Sequence, residues 1–127
     1  MRQLNEDPHT LRQIEDKIQS IPRAHGEITI ETEDVTFVFG ECDITMTTNH
    51  GRMTLATLEA CDYEEIVVRA DELGQLVIVV PTGATRMIMA IDCRAIIYIK
   101  YQYRVVDDSC GIYNLYEFIE PRKNKRN

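Results

Sequence analysis

Long apolar runs are absent from this chain of 127 residues. No stretch approaches the roughly 18 consecutive apolar residues that a transmembrane helix requires. Residues 1–7 are too polar for a secretory signal peptide, and we therefore expect a cytoplasmic protein. With 44% hydrophobic residues, the chain can bury one ordinary core, which predicts a single domain over residues 1–121.

Motifs that carry catalysis are also scarce. The histidines His9, His25 and His50 have no serine, cysteine or second histidine at a useful local spacing, and neither serine lies in a nucleophile elbow. The six glycines are isolated, so a local phosphate-binding loop is excluded, and no calcium-binding loop motif is present. We predict that the protein is not an enzyme and holds no metal or cofactor. A small enzyme with a site assembled from turn carboxylates is an alternative.

The cysteines are few and widely spaced, at Cys42, Cys61, Cys93 and Cys110. They form no Cys-x-x-Cys pair and have no nearby histidine, which argues against a zinc site. In a cytosolic chain we expect half-buried thiols that act as small hydrophobic side chains. A reactive or disulfide-forming pair is the alternative.

One amphipathic helix is predicted near the N-terminus. Its apolar stripe recurs at steps of three and four positions: Leu11, Ile14, Ile18 and Ile21. Asp7 and Pro8 suit the N-cap and the first turn, and Pro22 is expected to end the helix. The pattern therefore predicts a helix over residues 8–21.

After Gly26 the pattern changes to short runs of β-forming residues separated by turn sequences. About eight antiparallel strands are predicted between residues 27 and 119, although residues 53–61 fit a strand or a helix. The apolar runs at 66–68 and 76–80 are expected in the core. The fold class is mainly β (α+β), with the strands forming a sandwich or a small barrel.

The run from residue 96 to residue 103 carries large apolar side chains on both faces of a predicted strand. An open sheet of this length leaves edge strands exposed, and pairing between subunits is one physical remedy. We therefore expect a homo-oligomer.

The charge is distributed unevenly along the chain. Residues 1–65 carry 14 acidic and 5 basic side chains, whereas residues 66–127 carry 7 and 9, with four of the basic residues in a predicted disordered tail, 122–127. An acidic body repels nucleic acid and favours a cationic protein partner, although solubility alone would produce the same composition. The candidate protein contacts are acidic residues in or near predicted turns: Glu31, Glu33, Asp34, Glu41, Asp43, Asp62, Glu64 and Glu65.

Tyrosines and cations gather in the second half of the chain. They are candidate contacts for a small nucleotide or RNA: Arg94, Tyr98, Lys100, Tyr101, Tyr103 and Arg104. Aromatic rings stack on bases, and neighbouring cations add to such sites. Packing on strand faces and a tyrosine-rich protein interface would use the same residues.

Several residues between positions 51 and 99 follow a spacing known from one family: Gly51, Arg52, Leu58, Asp62 and the run 66–68, then Ile91, Ile96, Tyr98 and Ile99. In this spacing the chain resembles the Sm-like RNA-binding proteins. The resemblance implies a small barrel and RNA binding. At the family's RNA-contacting positions, this chain has Ile66 in place of an asparagine and Asp92 and Cys93 in place of an Arg-Gly pair.

These observations favour a small acidic binding or regulatory protein that occupies a protein partner or sequesters a ligand. Phage-encoded inhibitors of host defence are one class of this size and charge. An Sm-like RNA- or nucleotide-binding module is the alternative within binding proteins. The two differ in the placement of five cations, which a nucleotide or RNA binder would gather beside tyrosines in a concave site: Arg69, Arg86, Arg94, Lys100 and Arg104.

Overall fold

Helix α1 (Pro8–Ala24) begins the part of the chain that the computed structural model describes, residues 8–109 and 111–119. Its stripe packs as predicted, since Ile14, Ile18 and Ile21 are fully buried. The predicted N-cap residue Asp7, the thiol of Cys110 and the predicted tail lie outside the described residues.

The end of α1 differs from the prediction. Pro22 lies inside the helix, which continues to Ala24. Proline has a helical φ, but Pro22 cannot donate to the Ile18 carbonyl and its ring crowds that carbonyl, so one backbone hydrogen bond is lost although the helix continues. The helix is ended instead by His25, at a φ of 49°, with the Gly26 amide donating to the Ile21 carbonyl at 2.9 Å. This is the bonding of a Schellman cap, and it directs the chain into the first strand.

Nine strands follow in the described residues: β1 (Glu27–Thr32), β2 (Thr36–Phe39), β3 (Asp43–Thr48), β4 (Gly51–Thr57), β5 (Val67–Ala70), β6 (Gln75–Thr82), β7 (Thr85–Asp92), β8 (Ile96–Asp107) and β9 (Gly111–Ile119). They form a six-stranded antiparallel sheet, in the order β4-β3-β2-β1-β8-β9, and a three-stranded sheet, β5-β6-β7. The mainly β prediction is confirmed, with nine strands in place of about eight. Neither sheet closes into a barrel within the described ranges.

The uncertain stretch at residues 53–61 contains both elements. Strand β4 ends at Thr57, and the single helical turn α2 (Ala60–Tyr63) follows. The Glu59 amide donates to the Asp62 carboxylate at 2.8 Å, which closes a capping box around this turn. Because α2 leads the chain from one sheet to the other, the residues that resemble Sm-like proteins are divided between two sheets.

The core is one cluster that α1 and both sheets share. Alternate residues of the strands enter it, among them Ile28 and Ile30 of β1 and Ile99 of β8. The predicted core run at 76–80 is confirmed, since all of its residues except Val79 are buried. In the run at 66–68, Ile66 and Val68 are buried, but Val67 points outward and is 44% exposed. Period-2 alternation therefore places one face of each sheet against the helix and leaves the other face outward.

Strands β8 and β9 form the longest hairpin of the chain. Their register runs unbroken from the pair Ile99 and Ile119 to the pair Asp107 and Gly111. Strand β1 accompanies β8 only as far as Gln102. The hairpin therefore continues beyond the rest of its sheet as a two-stranded ribbon.

Candidate functional site

The β8–β9 hairpin carries the largest group of exposed apolar side chains in the described residues. Eight of the twelve large hydrophobic residues that are exposed lie on these two strands, and we call the seven in the paired part of the hairpin the hairpin surface: Val105, Val106, Ile112, Tyr113, Leu115, Tyr116 and Phe118. Tyr116 is 63% exposed and Phe118 51%. Exposed apolar groups concentrated in this way are typical of interaction sites.

The hairpin surface follows from the position of the ribbon. On a strand inside a sheet, one face packs on the core, and Ile99 and Ile119 do so at the base of the hairpin. Farther along, β8 and β9 have no neighbouring strand, and their apolar residues at both parities meet solvent. The sequence signal was present in residues 112–119, which are apolar or aromatic at six of eight positions. The sequence prediction placed the exposed apolar face on the preceding run, 96–103, because alternation does not show where a hairpin extends beyond its sheet.

An aromatic cluster lies on the outward face of this hairpin. The rings of Tyr98 and Tyr116 both meet Phe118 edge to face, with centroids 5.6 and 5.7 Å apart respectively. The Lys100 Nζ lies 5.9 Å from the centroid of the Tyr116 ring, within cation–π range. Arg104 has the same parity on β8 and is exposed. Three of the six predicted ligand contacts therefore share this face.

The other predicted ligand contacts lie elsewhere. Tyr101 and Tyr103 are on the opposite face of β8, where their rings stack at 5.2 Å. The Tyr101 ring also lies 4.7 Å from the Lys17 Nζ, and its hydroxyl is 2.9 Å from the Ser20 Oγ on α1. These contacts attach the helix to the sheet, so Tyr101 has a structural role.

Arg94 lies in a short 3₁₀ turn at Cys93–Ala95 and pairs with its neighbour. Its guanidinium donates two hydrogen bonds of 3.2 Å to the Asp92 carboxylate. These bonds lower the pKa of Asp92 and raise that of Arg94. Arg94 therefore pairs with its own neighbour, and it makes none of the ring contacts of the aromatic cluster.

The five cations that distinguish the two binding hypotheses do not gather in one place. Arg69 and Arg86 line a cleft of about 220 Å³ on the three-stranded sheet, with Val79 and Pro81 between them. Lys100 and Arg104 lie on the β8–β9 hairpin, and Arg94 lies in the 3₁₀ turn. Only one of the three locations has tyrosines beside the cations.

The eight predicted acidic contacts form two groups at opposite ends of the β1–β2 hairpin. Glu33 and Asp34 are exposed in its turn, and Glu31 nearby accepts a hydrogen bond of 2.7 Å from the Thr36 hydroxyl. Beyond the other end of the hairpin, the second group lies around α2 and the β2–β3 loop: Glu41, Asp43, Asp62, Glu64 and Glu65.

A buried tyrosine lies at the centre of the second acidic group. The fully buried Tyr63 donates its hydroxyl hydrogen to the Gly40 carbonyl and so joins α2 to the β2–β3 loop. Burial raises the pKa of Tyr63 far above its usual value, and the nearby Cys42, Asp43, Glu41 and Asp62 raise it further. The hydroxyl therefore stays protonated and acts as a structural donor.

The described residues include one polar cleft beside this group, with a volume of about 270 Å³. His25 and Glu41 line it, 3.0 Å apart between Nδ1 and Oε1, together with Tyr103 and Asn114. Both members of the pair are about half exposed. The lining contains no cysteine or serine, and the left-handed backbone of His25 is explained by the helix cap.

The cysteines differ from the expectation of half-buried thiols. Cys42 and Cys61 are exposed, and Cys93 is buried. No group of three histidine, cysteine, aspartate or glutamate side chains that could hold a metal ion occurs in residues 8–109 and 111–119. Neither described helix has the length and apolar character needed to cross a membrane.

Comparisons of this chain with models of protein families, with curated proteins and with solved structures found no match.

Proposed function

We propose that this protein is a non-catalytic cytoplasmic binding or regulatory protein that occupies a protein partner through its hairpin surface. The observation that carries the proposal is the exposure of seven large apolar side chains on one hairpin. Exposing them costs free energy in water, and contact with a partner removes that cost. An inhibitor of host defence that acts by masking its target needs only to bind that target. It needs no catalytic step.

The composition of the hairpin surface supports a protein as the ligand. Aromatic residues are enriched in the buried centres of protein interfaces, where their rings fill pockets and lose little conformational freedom. Tyr116 and Phe118 are suited to this role because their edge-to-face contact holds both rings in place. Lys100 and Arg104 lie beside them and would form part of the polar rim.

The partner is isolated by purifying the protein from its own host and measuring the mass of the native complex. A bound protein is expected, whereas a retained RNA or small ligand would contradict the proposal. The double variant Tyr116→Ala/Phe118→Ala is expected to lose the partner. The control Met53→Ala removes a side chain of similar exposure, 53%, from β4 at the far edge of the same sheet and is expected to keep it.

We further propose that the partner is cationic and that the acidic group around α2 steers its approach. The double substitution Glu64→Lys/Glu65→Lys is then expected to slow association more than it speeds dissociation, because exposed charges outside the buried contact act chiefly on the encounter. The effect should fade as salt is raised, since charges are screened beyond about 8 Å at physiological ionic strength. Stopped-flow association kinetics over a salt series test this.

A matched control changes the net charge equally at other exposed acidic residues. Asp16→Lys/Glu72→Lys places the new lysines on α1 and in the β5–β6 turn. Association that slows equally in both double variants would assign the steering to net charge and contradict a local acidic contact. If the association rate does not change with salt concentration, the acidic residues are a solvated surface and do not steer the partner.

Nucleotide or RNA binding is the second candidate function, and one observation favours it. Lys100 lies over the Tyr116 ring, beside Phe118 and Arg104, which resembles a small stacking platform with cations. The dispersal of the other three predicted cations weakens this candidate. Binding of single-stranded RNA that is lost with Tyr116→Ala would favour it over the first.

A further inference from the structure

The six-stranded sheet has two edges, β4 and β9, which differ in their protection against pairing. Soluble proteins protect exposed edges with charges, prolines or β-bulges. The β3–β4 pair has a register shift at Ile44 and Thr45, and β4 itself carries Arg52. The β8–β9 pair has an unbroken register over nine residue pairs.

Strand β9 also lacks the protective residues. It contains no proline and no lysine or arginine over Gly111–Ile119. Its single charge, Glu117, points toward the helix, where its Oε1 lies 2.7 Å from the Lys17 Nζ. Within the described residues, the backbone groups of about every second residue of β9 therefore face an unpaired edge, bordered by apolar side chains on both faces.

We infer that β9 pairs antiparallel with β9 of a second copy of this chain, which forms a twofold-symmetric dimer with a continuous twelve-stranded sheet. This inference deepens the proposed function, because pairing at the strand edges covers only the flanks of the β9 side chains and leaves the outer faces of two adjoining hairpin surfaces as one larger binding face. The symmetry makes the interface isologous, with the same strand contributed by each copy.

The sequence of β9 suits a twofold axis at Leu115. In that register Leu115 lies opposite itself, Ile112 lies opposite Phe118 of the second copy, and Asn114 lies opposite Tyr116 of the second copy. Each cross-strand pair on the outward face then has at least one apolar or aromatic member. The two Glu117 carboxylates come no closer than about 13 Å along the strands, at about 3.4 Å per residue.

The exposed surface on β9 is large enough for such an interface. Three of its five exposed large apolar side chains are aromatic, and an aromatic side chain presents about 150–250 Å² when fully accessible. At their exposed fractions the five present on the order of 500 Å². A specific interface of standard size buries about 800 Å² per partner, and the flanks of these side chains together with the edge backbone supply an interface at the lower end of the size range.

Sedimentation equilibrium of the full-length chain at micromolar concentration tests the dimer. The expected mass is twice the chain mass of 14.7 kDa. Leu115→Lys places two positive charges directly opposite each other at the axis, and its mass is expected to fall to that of one chain. Met53→Lys, on the opposite edge of the sheet, is the matched control and is expected to remain a dimer.

The register is tested by charge complementation at the same residue. Leu115→Glu alone is expected to be a monomer, and an equimolar mixture with Leu115→Lys is expected to recover the doubled mass as a heterodimer. Leu115 is 44% exposed, so both variants are expected to keep the wild-type circular dichroism spectrum, which is measured for each. A mixture that stays monomeric would overturn the axis at Leu115.

A monomeric wild-type chain, or a Leu115→Lys chain that stays dimeric, would overturn the dimer through β9. These outcomes are distinct from failure of the proposed function, which is determined from whether a protein partner copurifies with the wild-type chain. A dimer without a protein partner would leave the β9 interface standing and contradict only the proposed function. A monomer that retains the protein partner would contradict the β9 interface and leave the proposed function standing.

Discussion

Replacement of Ile78 by alanine is expected to lower the free energy of unfolding by about 2–5 kcal/mol, because it leaves a cavity that the surroundings fill only in part. Ile78 is fully buried on β6, the central strand of the three-stranded sheet. Its neighbours on the inner face, Leu76 and Val80, are also fully buried, and backbone pairing on both sides of β6 limits collapse of the site. Urea denaturation followed by circular dichroism measures the loss.

The same substitution on the adjacent strand provides the control. Ile88 of β7 lies opposite Val79, points outward and is 65% exposed. Ile88→Ala is expected to change stability by no more than about 0.5 kcal/mol. Since a domain is stable by only about 5–15 kcal/mol, the difference between the two variants is easily resolved. Equal losses would contradict the assignment of inner and outer faces.

Local sequence patterns predicted the elements of this fold well. The apolar stripe of α1 and the period-2 runs of the strands report which side of each element meets the core. Turn sequences placed the hairpin ends, and Gly74 and Gly83 adopt positive φ in the β5–β6 and β6–β7 turns. The exception was Pro22, where the local rule was outweighed by the Schellman cap that follows it.

The arrangement of the strands could not be predicted in the same way. No local pattern shows that β1 pairs with β8, since their partners are about 70 residues apart in sequence. The same long-range pairing leaves the tip of the β8–β9 hairpin without a neighbour and exposes its side chains. The candidate site therefore results from the order of the strands in the sheet. Local patterns in the sequence do not show that order.

The sequence alone could have divided the predicted ligand contacts on β8 between its two faces. Strand alternation alone separates Tyr98, Lys100 and Arg104 from Tyr101 and Tyr103, because the two sets differ in parity. The separation of the eight acidic residues into two groups, by contrast, could not be predicted from the sequence. Their division into two groups depends on which ends of β1 and β2 meet the helical turn α2.

Replacement of Tyr63 by phenylalanine is expected to lower the free energy of unfolding by about 0.5–1.5 kcal/mol at neutral pH, the usual net contribution of one hydrogen bond. The change removes the hydroxyl that joins α2 to the Gly40 carbonyl and leaves the buried ring in place. Tyr116→Phe removes the same group from a side chain that is 63% exposed and is expected to have almost no effect. Equal losses in both variants would contradict the role of Tyr63.

The advantage of tyrosine at this position is expected to disappear at high pH. Burial and the surrounding negative groups raise the pKa of Tyr63 in the folded state above the unfolded value of about 10. Below pH 10 both states hold the proton, so the contribution of Tyr63 is fully present. Above pH 10 the unfolded state releases the proton while the folded state keeps it, and stability falls by up to about 1.4 kcal/mol per pH unit. The unfolding free energies of wild type and Tyr63→Phe, measured from pH 8 to about pH 12, should therefore meet at about pH 11 and cross above it, whereas parallel curves would show that the hydroxyl ionises equally in both states.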